Sequence, residues 1–313
     1  MNGRPKELLA LLIVLVVLIL AFALGTGRFL TIATFRTIAN QMPEAVVAAV
    51  GLTFVLVIAG IDLSVGSILA LSSATLGVAL TRHGLPLPLA VLAALVVGAL
   101  CGGLNGILVV RWQVPSFIAT LGMLEMARGA TYLVTRSETQ YLGERVEGLA
   151  SASVLGLSIP FLAALGLVFV AELVLTRTVF GRYMVAIGTN EDALRLSGVD
   201  PRPVKLAVFI VSGVLAAVAG VVYTSRLASA DPNAGVGFEL SSIAAVVVGG
   251  TSLMGGRGSV VGSLLGVAII AVLGSGLAQV GAQEPTKRLV TGGVIIAAVL
   301  ADHYRRSHDG ATP

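Results

Sequence analysis

The sequence predicts an all-α integral membrane protein, a polytopic bundle of about ten transmembrane helices with both termini on the cytoplasmic side. Three observations carry this. Charged residues are only 12% of the 313 and hydrophobic ones 56%, with a mean hydropathy of +0.99. A soluble domain covers itself with about 25% charged residues. The apolar residues also fall in long runs, Leu8 to Leu24 and Leu87 to Val110 among them, neither holding a charge. A bilayer span takes about 20 apolar residues. Finally, most of these runs are broken by glycine, of which there are 38, rather than by charge. Small residues let membrane helices approach closely.

Ten hydrophobic segments follow in order: 8–25, 43–60, 65–81, 87–110, 115–134, 159–176, 205–224, 239–254, 259–280 and 287–301. The first resembles a signal peptide, with Arg4 and Lys6 ahead of it and Ala21-Phe22-Ala23 near its end. Its apolar run of 17 residues exceeds the about 7–15 of a cleavable h-region, so an uncleaved first span is expected. The second and third segments are joined by Gly60-Ile61-Asp62-Leu63-Ser64-Val65-Gly66-Ser67. Here Asp62 or Ser64 can cap the third helix, with Gly60 and Gly66 allowing a tight turn; contact with a transported solute is the alternative. Gly98, Gly102 and Gly106 in the fourth segment, and Gly262 and Gly266 in the ninth, form stripes on single helix faces. Glu125 and Arg128 in the fifth can meet on one face, as functional groups or as a self-neutralising pair. Asn105 and Glu172 are further polar residues within spans. The eighth segment is short and glycine-rich, so it is expected to be broken or re-entrant. Glu44 leading to Val65-Gly66-Ser67 parallels Glu239 leading to Val261-Gly262-Ser263, as internal repeats do.

Between the sixth and seventh segments, the loop 177–204 contains a complete short-helix grammar. Asn190 can cap the N-terminus, Glu191 and Asp192 suit the positive end of the dipole, and Gly198 can take the left-handed C′ position. Pro201 and Pro203 stop continuation. Two turns have little stability alone. The helix is therefore expected to dock, either in a groove of a cytoplasmic partner or on its own bundle.

An even number of spans puts both termini on one side. That side holds Arg4, Lys6, Arg111, Arg177, Arg182, Arg195, Arg202, Lys205, Arg257, Arg305 and Arg306, against Arg28, Arg36, Arg82, Arg136, Arg145, Arg226, Lys287 and Arg288. The bias favours N-in, C-in because five of the first set crowd one loop. The whole chain, 1–313, reads as one transmembrane domain, with cytoplasmic tails at 1–7 and 302–313.

Several classes are set aside. Cys101 is the single cysteine, and His83, His303 and His308 are scattered, so no disulfide, metal or catalytic role is expected. The pI of 9.6 follows from juxtamembrane arginine, and no aromatic-rich basic patch suggests nucleic acid. Gly250-Thr251-Ser252-Leu253-Met254-Gly255-Gly256-Arg257 resembles a phosphate loop in outline but lacks its Lys and following Ser/Thr. No cofactor is expected in this chain.

Four motifs carry a resemblance over about residues 40–300. They are Gly60 to Ser67; Pro115-Ser116-Phe117-Ile118-Ala119-Thr120-Leu121-Gly122 with Arg128-Gly129; and Gly181-Arg182-Tyr183, Gly188-Thr189-Asn190-Glu191, Ala193 and Arg195-Leu196-Ser197-Gly198. The fourth is Ala244 to Leu253 with Gly255, Gly256 and Gly258. Together they resemble bacterial ABC importer permeases of the ribose and xylose type, a group related to branched-chain amino acid permeases. The resemblance implies a multi-pass protein of the bacterial inner membrane that is not itself an enzyme. It implies a second permease copy or paralogue, a separate ATPase subunit that uses ATP and Mg, and an extracytoplasmic solute-binding protein. It also implies ATPase coupling through Gly181, Arg182, Asn190, Glu191, Ala193, Arg195, Leu196 and Gly198. Translocation of a sugar-like solute by alternating access is then expected, along a permease interface lined by Ser72, Ser73 and Asn105, with Glu125 and Arg128 as further pathway candidates. Loops 135–158 and 225–238 are expected to dock the binding protein, and Asp231-Pro232-Asn233-Ala234-Gly235 suits a gate, docking or an ordinary turn. A gradient-driven carrier or channel, and a permease for nucleosides or branched-chain amino acids, are the alternatives.

Overall fold

The computed structural model describes residues 4–27, 29–146 and 152–308. Arg28, residues 147–151 of the expected outer loop, the ends of both expected tails, and the side chains over 301–308 lie outside the described residues. The helices are α1 Arg4–Thr26, α2 Ile32–Asn40, α3 Pro43–Val57, α4 Val65–Thr81, α5 Leu87–Arg111 and α6 Ser116–Thr135. They continue with α7 Ile159–Arg177, α8 Val179–Leu196, α9 Arg202–Leu227, α10 Phe238–Val248, α11 Val260–Gln279 and α12 Glu284–His308. Two short antiparallel ladders join the connections between helices. β1 (Gln140–Tyr141) pairs with β4 (Ser229–Ala230), and β2 (Ser153–Val154) pairs with β3 (Leu157–Ser158).

Local chemistry sets the helix starts. Pro stands in the first turn of α3, α5, α7 and α9, where its missing N–H costs nothing. Thr31, Ser158, Thr178 and Ser259 cap α2, α7, α8 and α11 by accepting from backbone N–H three residues on. α1, α5, α7, α9 and α11 are long and apolar enough to cross a membrane, and α2 with α3, bent by 49°, forms a sixth candidate. The protein is an all-α membrane protein.

α3 and α4 form the centre, and Ala45 is the one residue of α3 that is not buried. α9 crosses α5 at the glycine stripe: a Cβ on Gly98, Gly102 or Gly106 would meet Gly213, Phe209 or Leu206. The second stripe does the same for α11, where Gly262 and Gly266 lie on the carbonyls of Gly249 and Ala245. Both stripes are backbone-to-backbone crossings. α1 presents Leu9, Ile13, Val17 and Leu20 outward, as a lipid-facing helix does.

The eighth segment is broken, as expected, and two further features go beyond the sequence reading. The eighth segment, 239–254, is helical only through Val248. Eleven residues reach about 16 Å, half the hydrocarbon thickness, and Gly249 to Gly258 form an irregular turn. α2 was not anticipated; its residues are too polar to register as a span. The helix expected at 190–198 keeps its start at Asn190, but another helix leads straight into it: α8 begins at Val179, where Thr178 caps it and Phe180, Met184 and Ile187 supply an apolar face. It breaks at Asn190, whose φ of −163° and ψ of 98° are extended.

Candidate functional site

The segment after the Asn190 break is held by local bonds. Asn190 Oδ1 accepts from Ala193 N at 2.9 Å. At the other end Gly198 takes φ +87°, with its N–H on Arg195 O at 2.9 Å. Glu191 is gripped from both sides, by Arg195 at 2.6 Å and Lys205 at 2.9 Å. Burial pushes the Glu191 carboxyl up, but the hydrogen bonds and charges of Lys205 and Arg195 outweigh it and hold the group below its ordinary value. Leu194 packs inward on the core, while Arg182, Ala193, Arg195 and Leu196 face out. Leu196 is 90% exposed. Gly181 is buried on the carbonyls of Val174 and Leu175, so it fixes the α7–α8 corner instead of presenting a surface.

Just before the break, α8 meets two other breaks in the bundle. A Cβ on Gly188 would collide with Val57 O and Gly256 N, and those two atoms hydrogen-bond to each other at 2.9 Å. Gly256 in turn lies on Thr189, and Gly255 lies on Ala59. The turn after α3 and the turn after α10 therefore touch each other and the root of the 191–196 helix. Beneath that helix lies a cavity of about 420 Å³, walled by Gly60, Gln113, Ser116, Asp192, Arg202 and others.

The 58–64 turn differs from the expected cap. Ser64 makes no side-chain cap on α4. Instead its N–H and Oγ both donate to Asp62 Oδ1, at 2.9 and 2.6 Å. Ser212 Oγ donates to Asp62 Oδ2 at 2.8 Å, and Asn105 Nδ2 donates to Ser64 Oγ at 3.0 Å. Asp62 is 1% exposed, so the network serves to satisfy a buried carboxylate. The left-handed residue of the turn is Ala59 at φ +58°, not Gly60. Gly60 makes room for Val55 and Phe209, and Gly66 makes room for Gly235 O and Glu239. Ser116 and Thr120 of α6 accept from the N–H groups of Ile61 and Leu63. Their place in the Pro115–Gly122 motif was legible, but not this role.

Ser72, Ser73 and Asn105 are each fully buried inside the protomer. Ser73 is bonded to Thr224, so these three form no surface open to a second copy. Glu125 and Arg128 do not pair. Arg128 donates to the carbonyls of Pro232 and Ala234 at 3.0 and 2.7 Å, while Glu125 faces outward. Those carbonyls belong to a segment that descends into the bundle. Ala230 lies beside Gly77, and Gly235 lies beside Gly66. The two glycines are eleven positions apart in α4, about 16 Å of rise. Only the start of 225–238 thus stays at the end of the bundle. Backbone at that depth needs partners within the protein, and Arg128 supplies two.

Two further carboxylates have partners that the sequence did not give. Glu44 Oε1 accepts from Arg226 at 2.6 Å, joining α3 to α9. Glu172 Oε2 accepts from Val260 N at 2.7 Å, capping α11 from a neighbouring helix. Their residue types gave a signal, but their partners lie too far along the chain to be guessed.

A family profile described as "Branched-chain amino acid transport system / permease component" matches residues 34–299. A ribose import permease protein of Haemophilus influenzae is 42% identical over 93% of this chain and 92% of its own length. A fructose import permease protein of Rhizobium meliloti is 37% identical over 94% and 85%, and an L-arabinose ABC transporter permease protein of Azospirillum brasilense is 33% identical over 95% and 88%. No solved structure matches the chain. With the family profile spanning the bundle from α2 to α12, and with whole-length relatives of the same kind, the chain belongs to the branched-chain amino acid transport system permease component family and is the membrane permease subunit of an ABC-type importer.

Proposed function

We propose that this permease carries a neutral sugar or sugar-like solute, and that a separate ATPase drives it through the 190–198 helix. The observation that carries the coupling reading is Leu196, an apolar side chain 90% exposed at the tip of a helix fixed at both ends. An exposed leucine on a helix fixed at both ends suits a partner's groove. The sugar reading rests on relatives named for ribose, fructose, allose and L-arabinose that span nearly the whole chain. A soluble binding protein delivers the solute to the face carrying β1 and β4.

The loops support ten membrane segments with N-in, C-in orientation. Residues 58–60, 113–116, 191–195 and 202–205 share one cavity, while 82, 134–146 and 225–230 hydrogen-bond together elsewhere. The ends of segments 2 to 7 thus fall into two alternating groups. The outward side of α6, with Gly122, Glu125 and Gly129, is the face offered to a second copy. A carboxylate in mid-span is costly against lipid, and both glycines have open space around them. Alternating access follows if the ATPases pull 191–196 and, through Gly188, shift both broken-helix turns.

Swapping residues 190–198 for a flexible linker tests this. In a normally inserted protein with its partners present, uptake and solute-stimulated ATP hydrolysis should both disappear. Persistence of either refutes the coupling role.

A further inference from the structure

A second cavity, of about 320 Å³, lies between α2, the start of α3, α10 and the far half of α11. It is distinct from the one under the coupling helix and lies toward the opposite end, where Arg226 meets Glu44 and where Asn40 holds Gly156 O and Ser158 N. Its wall is largely apolar, from Ile38, Met42, Phe238 and Ile270, but Glu44 and Ser242 also line it.

Six side-chain atoms among the described residues are buried without a hydrogen-bond partner, and two of them border this cavity. Glu44 is 5% exposed and Ser242 is 3% exposed. Each keeps one buried polar atom, Glu44 Oε2 and Ser242 Oγ, with no hydrogen-bond partner. Buried polar groups are nearly always paired, because an unpaired one bears its full desolvation penalty. Here two such groups, from different helices, border one cavity. The charge at the site is matched: Arg226 neutralises Glu44 through Oε1 and leaves Oε2 as an acceptor. A cation therefore gains little there, and an anion is repelled by the carboxylate. What remains is one strong acceptor, one hydroxyl and an apolar wall. That set suits a neutral polyhydroxylated molecule, with hydroxyls for Glu44 and Ser242 and a C–H face for Phe238 and Ile270.

We infer that this cavity is a solute subsite within each protomer, one that takes a neutral polyol and engages Glu44 and Ser242. It rests on the sugar reading given above and places the solute on the helices of one protomer, apart from the Gly122 and Gly129 face of α6. Gly66 and Glu239 tie the start of α10 to α4, so movement of the broken-helix turns reaches the cavity wall.

Cys101 is the chain's single cysteine, so in a Cys101→Ala background an introduced thiol is followed without a competing one. Ser242→Cys in the full-length permease, in vesicles, is alkylated with a small neutral thiol reagent. The solutes are a panel of neutral pentoses and hexoses, with leucine as the comparison. One or more sugars should slow the reaction several-fold, and leucine should not. Ser275→Cys on the cavity rim gives a second reporter should Ser242→Cys insert poorly. Separately, Ser242→Ala in the intact importer should raise the KM for uptake by about fivefold with little change in kcat, as loss of one neutral hydrogen bond does. Sugar uptake by the wild-type importer without protection at either thiol, and without the KM change, overturns the subsite and leaves the sugar reading standing. Protection by lipid or detergent alone also overturns it. Failure of the wild-type importer to move any neutral sugar sinks the sugar reading itself.

Discussion

Gly188→Ala tests whether force passes from the coupling helix into the bundle through a backbone contact. The added methyl would overlap Val57 O and Gly256 N. Both are main-chain atoms that cannot rotate away, so the α3 turn or the α10 turn must move. Overpacking of a fitted contact costs about 1–3 kcal/mol. Parting Gly256 N from Val57 O forfeits a hydrogen bond worth about 0.5–1.5 kcal/mol. Alanine returns about 1 kcal/mol of helix propensity relative to glycine. The balance is a net loss of about 1–3 kcal/mol, enough to lower the melting temperature by a few degrees. The functional consequence should be larger than the thermal one, because the contact joins three breaks. ATPase binding should survive while solute-stimulated hydrolysis and uptake fall sharply. Melting in detergent and uptake in vesicles are read side by side. A Gly188→Ala protein that melts at or above the parent temperature and transports normally would refute both the contact and the relay.

Three further outcomes follow from the geometry. Glu172→Ala removes the carboxylate cap of α11 and should cost about 1 kcal/mol in a denaturation assay; an unchanged midpoint means the bond to Val260 contributes nothing. Gly122→Ala with Gly129→Ala should leave the protomer as stable or better by about 0.5–1 kcal/mol per site, yet disrupt dimers on cross-linking if a second copy covers α6. Intact dimers would move the interface elsewhere. Because the Glu191 carboxyl is held below its ordinary value, its stabilisation is fully present above the unfolded carboxylate range and is lost as pH falls through the lowered folded value. Coupling should therefore be flat from neutral pH down to about pH 5, and Glu191→Gln should weaken it throughout; a loss already at pH 6 would point to another group.

The parts of this fold that depend on near neighbours were legible in the sequence. Hydrophobic runs marked the helices, and Asn190, Gly198 and the two prolines marked the coupling helix because capping acts within four residues. The glycine stripes announced close crossings but not the partners. The polar core was not legible, because its pairs span the chain: Asp62 with Ser212 across 150 residues and Glu44 with Arg226 across 182. Arg128 was read towards Glu125, its nearest opposite charge, yet its true acceptors are carbonyls of Pro232 and Ala234, which carry no residue signal. The cap expected at Ser64 failed for a related reason. A buried Asp62 needs donors more than α4 needs a cap, and Ser64 supplies two.

The burial of α3 and α4 has a consequence for how the chain is made. Both helices emerge from the ribosome early, but α9, which covers them, lies far downstream. At about 5–20 residues per second, the 150 residues between Asp62 and Ser212 take roughly 8–30 s to appear. For that interval the central hairpin sits in lipid with a carboxylate that lacks one of its donors. Asp62 crosses this gap with what it carries in its own turn, the N–H and hydroxyl of Ser64. Replacing Ser64 with alanine should therefore lower the yield of inserted protein more than it destabilises the finished one.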